Sequence, residues 1–176
     1  MVDALPSWLL PEWVPNLHPL IVHFPIAILV LAPALDALAL ALRKRWPRGA
    51  LVATGLYVIG GLSAVVTYYS GTWAVGTVSV STVDAAQTFN VHQTWGWYTM
   101  LSAGGYALVR GSVQALSSVE IQWRRHLVLA VLGLGILWPL WKAGENGGRL
   151  VYQHGVGVET VEQDGAPLRR STRDEK

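Results

Sequence analysis

HPLIVHFPIAILVLAPALDALALALRKR, residues 18–45, is the stretch on which the fold turns. From residue 19 to residue 42 it is apolar apart from His23 and Asp36, and it stops on Arg43, Lys44 and Arg45. About 20 apolar residues in a helix cross the hydrocarbon core of a bilayer, so this segment reads as a transmembrane helix closed by charge. Its opening is unusual: His18 and His23 stand beside Pro19 and Pro25. Pro19 suits a first helical turn, where its missing donor costs nothing. Pro25 takes away the N–H that would bond the Ile21 carbonyl and predicts an opened helix there, as Pro33 does for Leu29.

Three further runs qualify, at about residues 50–69, 92–113 and 127–141; the third span, 92–113, is the most diluted by Thr, Ser and Gly. The 176-residue chain is 52% hydrophobic and 14% charged, where a soluble domain carries about 25% charged residues. The fold class expected is an all-α integral membrane protein, a four-transmembrane-helix bundle. There is no cysteine, which excludes disulfides, thiolate ligands, CxxC redox centres and covalently attached c-type haem. The net charge is +2, with cations in short clusters beside apolar runs. That arrangement points to membrane lipid and away from nucleic acid. Residues 1–17 lack the basic, apolar layout of a signal peptide. Trp8, Leu9, Leu10 and Trp13 predict an interfacial segment there.

Orientation follows from Lys and Arg. Arg43, Lys44, Arg45 and Arg48 fill the first connection, and Arg110, Arg124 and Arg125 stand against Glu120 in the third; residues 1–18 and 71–91 have none. Cytoplasmic loops carry the excess of Lys and Arg, so the chain is expected to be a multi-pass protein of the bacterial cytoplasmic (inner) membrane, both termini outside. Trp73, Trp95, Trp97, Trp138 and Trp141 would then form an outer aromatic belt, and Trp46 and Trp123 an inner one. Gly55, Gly60, Gly61, Gly104, Gly105, Gly133 and Gly135 offer close helix approach.

On this topology His18, His23, His92 and His154 gather at the outer face, while His126 sits at the cytoplasmic headgroups. Imidazoles on two facing helices can grip haem iron from both sides, and His23 with His92 is the favoured pair, His18 and His154 being alternates. A single transition-metal ion held by three or four of these histidines is the alternative. The lack of cysteine and the scarcity of nearby carboxylates, Asp84 and Glu145 at most, favour haem b. Asp36 is the one acid inside a span, so it is expected either to pair with His126, Arg125 or Thr54 or to handle protons.

After the fourth span, residues 143–158 read as an outer cap in which Tyr152 and His154 cover the site, following the bundle of residues 18–142. Residues 159–176 read as a polar, mobile tail. Together HPLIVHFP at residues 18–25 and GGRLVYQHGVGV at 147–158 resemble an uncharacterised bacterial four-span membrane domain family, with HPxxVHFP at its start and GGxLVYxHGVGV at its end. The resemblance covers about residues 17–158. It implies that His18, His23 and His154 are motif positions. Fusions of similar domains to c-type cytochrome or Rieske modules imply membrane redox work.

The function expected is therefore a b-type haem electron-transfer protein or redox subunit, serving an outer-side redox protein and a quinone or larger membrane complex. It need not be an enzyme by itself. The alternatives are a cofactor-free accessory subunit of a respiratory or photosynthetic complex and the histidine-rich metal site.

Overall fold

The computed structural model describes residues 16–117 and 122–158; the interfacial segment expected before residue 16 and the tail expected after residue 158 lie outside them. The described residues are helical with no strand: α1 (His18–Ile21), α2 (His23–Ala41), α3 (Gly49–Ala74), α4 (Val83–Leu116), α5 (Trp123–Leu134) and α6 (Leu137–Tyr152). Val22 separates α1 from α2, where Pro25 leaves the Ile21 carbonyl without its usual donor. The helix passes through Pro33 without a break. Pro139 instead removes the N–H that would bond the Gly135 carbonyl, and α5 and α6 form one bent element interrupted at Gly135 and Ile136.

Four long elements thus close a bundle. α2 packs on α3, α3 on α4 and α4 on α6, while α5 returns to α2. The core is built of small residues, with Ala32, Ala53, Ala64 and Ala103 buried around Leu29 and Tyr57. Large apolar side chains point outward instead, among them Phe24, Leu62, Val66, Leu108, Val131 and Trp141. That inversion is what a lipid-facing bundle requires, since lipid solvates leucine as well as protein does. Among the described residues, three helices are long and apolar enough to cross a membrane: His18–Ala41, Gly49–Thr77 and Trp123–Tyr152, with mean hydropathies of 2.2, 1.9 and 1.7. α4 is longer than any of these single segments at 34 residues, but Gln87, Asn90, His92, Gln93 and Thr94 dilute its first half.

Two boundaries differ from the sequence expectation. α4 begins at Val83, where the Thr82 hydroxyl accepts from the Ala85 amide at 3.1 Å and Asp84 meets the positive end of the helix dipole. The last helix continues past Lys142 to Tyr152, and only residues 153–158 turn back, with Gly155 and Gly157 at φ of 65° and 77°. Arg110, counted among the loop cations, lies within α4 and is fully buried. The positive charge near the third connection therefore rests on Arg124 and Arg125, in the first turn of α5.

The glycines separate by environment. A Cβ on Gly61 would meet the Ala107 side chain at 2.8 Å and the Ala103 carbonyl oxygen at 2.9 Å, whereas Gly55 and Gly105 face open space. Because backbone on α4 cannot yield, Gly61→Ala is expected to cost about 1–3 kcal/mol. Gly105→Ala should be neutral or slightly stabilising, the change in helix propensity being favourable. Thermal unfolding of the two variants in detergent checks this.

Candidate functional site

Polar side chains collect at opposite ends of the bundle. At the end where α1 meets the start of α4 and the glycine-rich α6, the rings of His18 and His92 face each other with centres 6.4 Å apart and planes at 75°. His92 Nδ1 lies 2.9 Å from the Ala143 carbonyl oxygen. A carbonyl only accepts, so Nδ1 carries the proton and Nε2 keeps its lone pair. His18 Nδ1 lies 2.9 Å from Ser70 Oγ, and the Ser70 hydroxyl already donates to the Thr67 carbonyl at 2.8 Å. His18 Nδ1–H therefore donates to Ser70, and its Nε2 is likewise a free base. Two imidazoles thus present lone pairs, each fixed by a hydrogen bond from its other nitrogen, the arrangement seen where histidine binds metal.

The rings border a cleft of about 970 Å³ with mostly apolar walls, including Pro25, Ala64, Tyr68, Phe89 and Leu140. Its volume lies at the upper end of the 300–1,000 Å³ range usual for ligand sites. Glycines make the space: a Cβ on Gly71 would lie 2.9 Å from His18 Cε1, and one on Gly147 would lie 3.1 Å from His92 Cε1. Thr67 also lines the cleft, and its hydroxyl is buried with no hydrogen-bond partner among the described residues. Asn16, buried and outside any motif singled out in the sequence, holds this corner. Its Oδ1 accepts from the His18 amide at 3.1 Å and its Nδ2 donates to Thr77 Oγ1 at 2.8 Å.

The histidines read from sequence divide accordingly. His18, rather than His23, stands against His92. Five helical residues turn a side chain by about 500°, so His18 and His23 point about 140° apart and cannot share one wall. His23 is exposed at the rim of the cleft, with Nδ1 3.3 Å from the Leu20 carbonyl. His154 sits in the turn after α6 with Nε2 3.0 Å from Thr88 Oγ1. Tyr152 reaches the cleft but is 90% exposed. Among the described residues no three His, Asp or Glu side chains converge as a metal-ligand set.

The other site lies about five turns along α4, roughly 27 Å from His92. Asp36 on α2 and Arg110 on α4 are both fully buried. They form a bidentate pair, Nη1 to Oδ2 and Nη2 to Oδ1, each 2.6 Å. His126 Nε2–H donates to Asp36 Oδ1 at 2.5 Å. Arg110 Nε donates to Thr54 Oγ1 at 3.1 Å and Nη1 to the Tyr106 hydroxyl at 3.0 Å. The Tyr106 hydroxyl donates a hydrogen bond to the Leu129 carbonyl. The Tyr57 ring lies under the guanidinium at 5.0 Å, within cation–π range. Opposite charges on α2 and α4 thus cancel inside the bundle, with α5 joined through the His126 hydrogen bond, which is how ionised groups are tolerated there. His126 was an expected partner of Asp36; Arg110 was missed because it was read as a loop cation.

The chain belongs to the family described as Predicted membrane protein (DUF2231), whose pattern matches residues 14–160 and so takes in both sites. No curated protein and no solved structure matches it.

Proposed function

We propose that this family member is a membrane-embedded electron-transfer protein in which His18 and His92 hold a b-type haem at one end of a four-span bundle. The observation that carries the reading is the facing pair of imidazoles, each with Nδ1–H engaged and Nε2 free. A metal lies about 2 Å from an imidazole nitrogen. Two rings on opposite sides of one iron therefore have centres roughly 6 Å apart, close to the 6.4 Å found. The cleft they border is large, apolar and relieved by glycine on α3 and α6, as a flat cofactor demands. His18 and His92 would hold the group, and when bound it would supply one-electron chemistry. The chain's own residues would fix ring tautomers and exclude water. An outer redox protein and a membrane quinone or larger complex are the partners such a carrier would serve.

The test is a reduced-minus-oxidised absorption spectrum of detergent-purified protein expressed with ample haem. Sharp reduced α and β bands are expected. A clean, colourless protein would overturn the proposal and leave a cofactor-free accessory subunit as the better reading.

The topology belongs to the same proposal: four spans, α4 crossing with its Arg110 neutralised by Asp36, the termini and the histidine pair outside the cytoplasmic membrane. It rests on Arg43, Lys44, Arg45 and Arg48 with Arg124 and Arg125 at the opposite end. There the Trp123 ring lies under Arg43 and Arg124 at 5.8 and 5.6 Å. The absence of native cysteine makes single-cysteine mapping clean. Gly76→Cys should react with an impermeant maleimide on intact cells, and Lys44→Cys only after permeabilisation. The reverse pattern would place the histidines on the cytoplasmic side.

A further inference from the structure

We infer that Ser70 is the positioning residue that sets which nitrogen His18 presents to the cleft; the role rests on the haem reading only where a loaded cofactor is concerned. The two facing histidines are held differently. His92 donates to the backbone carbonyl of Ala143 at 2.9 Å, a partner that no side-chain substitution removes. His18 donates to Ser70 Oγ at 2.9 Å, and that hydroxyl accepts only because its own proton is directed to the Thr67 carbonyl at 2.8 Å. This order of donors, His18 Nδ1–H to Ser70 Oγ and Ser70 to the Thr67 carbonyl, leaves His18 Nε2 as the free base. Ser70 is 9% exposed, which keeps water from taking over the hydroxyl's part. His92 is thus held by backbone alone, and His18 by the Ser70 hydroxyl beside the Thr67 carbonyl.

Two consequences follow. Without the hydroxyl, the His18 ring is free to place its proton on Nε2 and to lose its lone pair toward His92. With a metal bound, loss of an acceptor for the distal N–H makes the imidazole a poorer donor, and such partners are typically worth roughly tenfold to a hundredfold in metal affinity. A poorer donor stabilises the oxidised metal less, so the reduction potential rises.

The experiment begins with the cofactor-free protein. Nitrogen-15 NMR of histidine-labelled protein in detergent reads tautomers directly, and five histidines with a His18→Gln control permit assignment. Wild type is expected to show His18 as the Nδ1–H tautomer. Ser70→Ala should lose that signature while the other four histidines keep theirs, and Ser70→Thr should restore it. Retention of the Nδ1–H tautomer in Ser70→Ala, or an Nε2–H tautomer in wild type, would overturn the inference. If Ser70→Thr does not fold, the wild-type and Ser70→Ala spectra still decide. Haem titration is the second readout, with weakened binding of that order and a raised potential expected in Ser70→Ala. Wild type that binds no haem would defeat the proposed function while leaving the tautomer result standing. Wild type that binds haem with unchanged affinity and potential in Ser70→Ala would defeat this inference alone.

Discussion

Asp36→Asn is expected to be the most damaging single substitution in the chain, more so than Arg110→Gln. Both partners are completely buried and joined by two 2.6 Å hydrogen bonds, so either change strands a charge. Breaking a buried pair in this way costs about 3–5 kcal/mol. The two cases differ in what the stranded group can do. A carboxyl left alone can take up a proton and become neutral, whereas a guanidinium cannot give one up. Thr54 and Tyr106 would still accept from Arg110, but neither carries the negative charge it needs. The double variant Asp36→Leu/Arg110→Met should recover most of the loss, because apolar replacement of a whole buried pair is often neutral or stabilising. Yield of monodisperse protein and thermal unfolding in detergent give the order: double variant near wild type, Arg110→Gln lower, Asp36→Asn lowest. Equal stability of the single variants and wild type would mean that the pair does not hold the three helices together.

The second large effect separates the histidines. His18→Ala and His92→Ala should each abolish six-coordinate haem absorption, since each removes one of two axial donors, while His23→Ala should keep it. His154→Ala should also keep it, the Thr88 contact being lost at the edge of the site. If His23→Ala bleaches the protein and His18→Ala does not, the ring facing His92 in the functional state is the other one, and the site must be redrawn around the α2 side of Val22.

Much of this was legible before any coordinates. The apolar run at residues 19–42 with its Arg43–Lys44–Arg45 stop predicts the first long helix, and Pro25 predicts the interruption that falls at Val22. Asp36 announced a buried partner because no other acid lies inside a span. What escaped was relative orientation. His18 and His23 sit in one motif, and only their separation around the helix axis shows that a single wall can receive one of them. Arg110 follows an apolar run and precedes GSVQAL, so it could be assigned to a loop as readily as to a helix. Its burial is decided by Asp36 on another helix, which no local pattern reveals. The early start of α4 is different: Thr82 followed by Asp84 is a helix-start signal, overlooked because Gln87, Asn90 and Gln93 hide the apolar periodicity. The hydrogen bonds that fix the His18 and His92 tautomers come from Ser70 and Ala143 on other helices, and neither residue type marks itself in a sequence.

Low-temperature electron paramagnetic resonance of the oxidised, purified protein tests the central claim most directly, because it reports both axial ligands and the angle between their rings. With imidazole planes at 75°, the account predicts a low-spin ferric signal of the strongly anisotropic kind that near-perpendicular imidazoles produce, lost in both His18→Ala and His92→Ala. A high-spin signal, a rhombic signal typical of parallel rings, or no haem signal at all would contradict it.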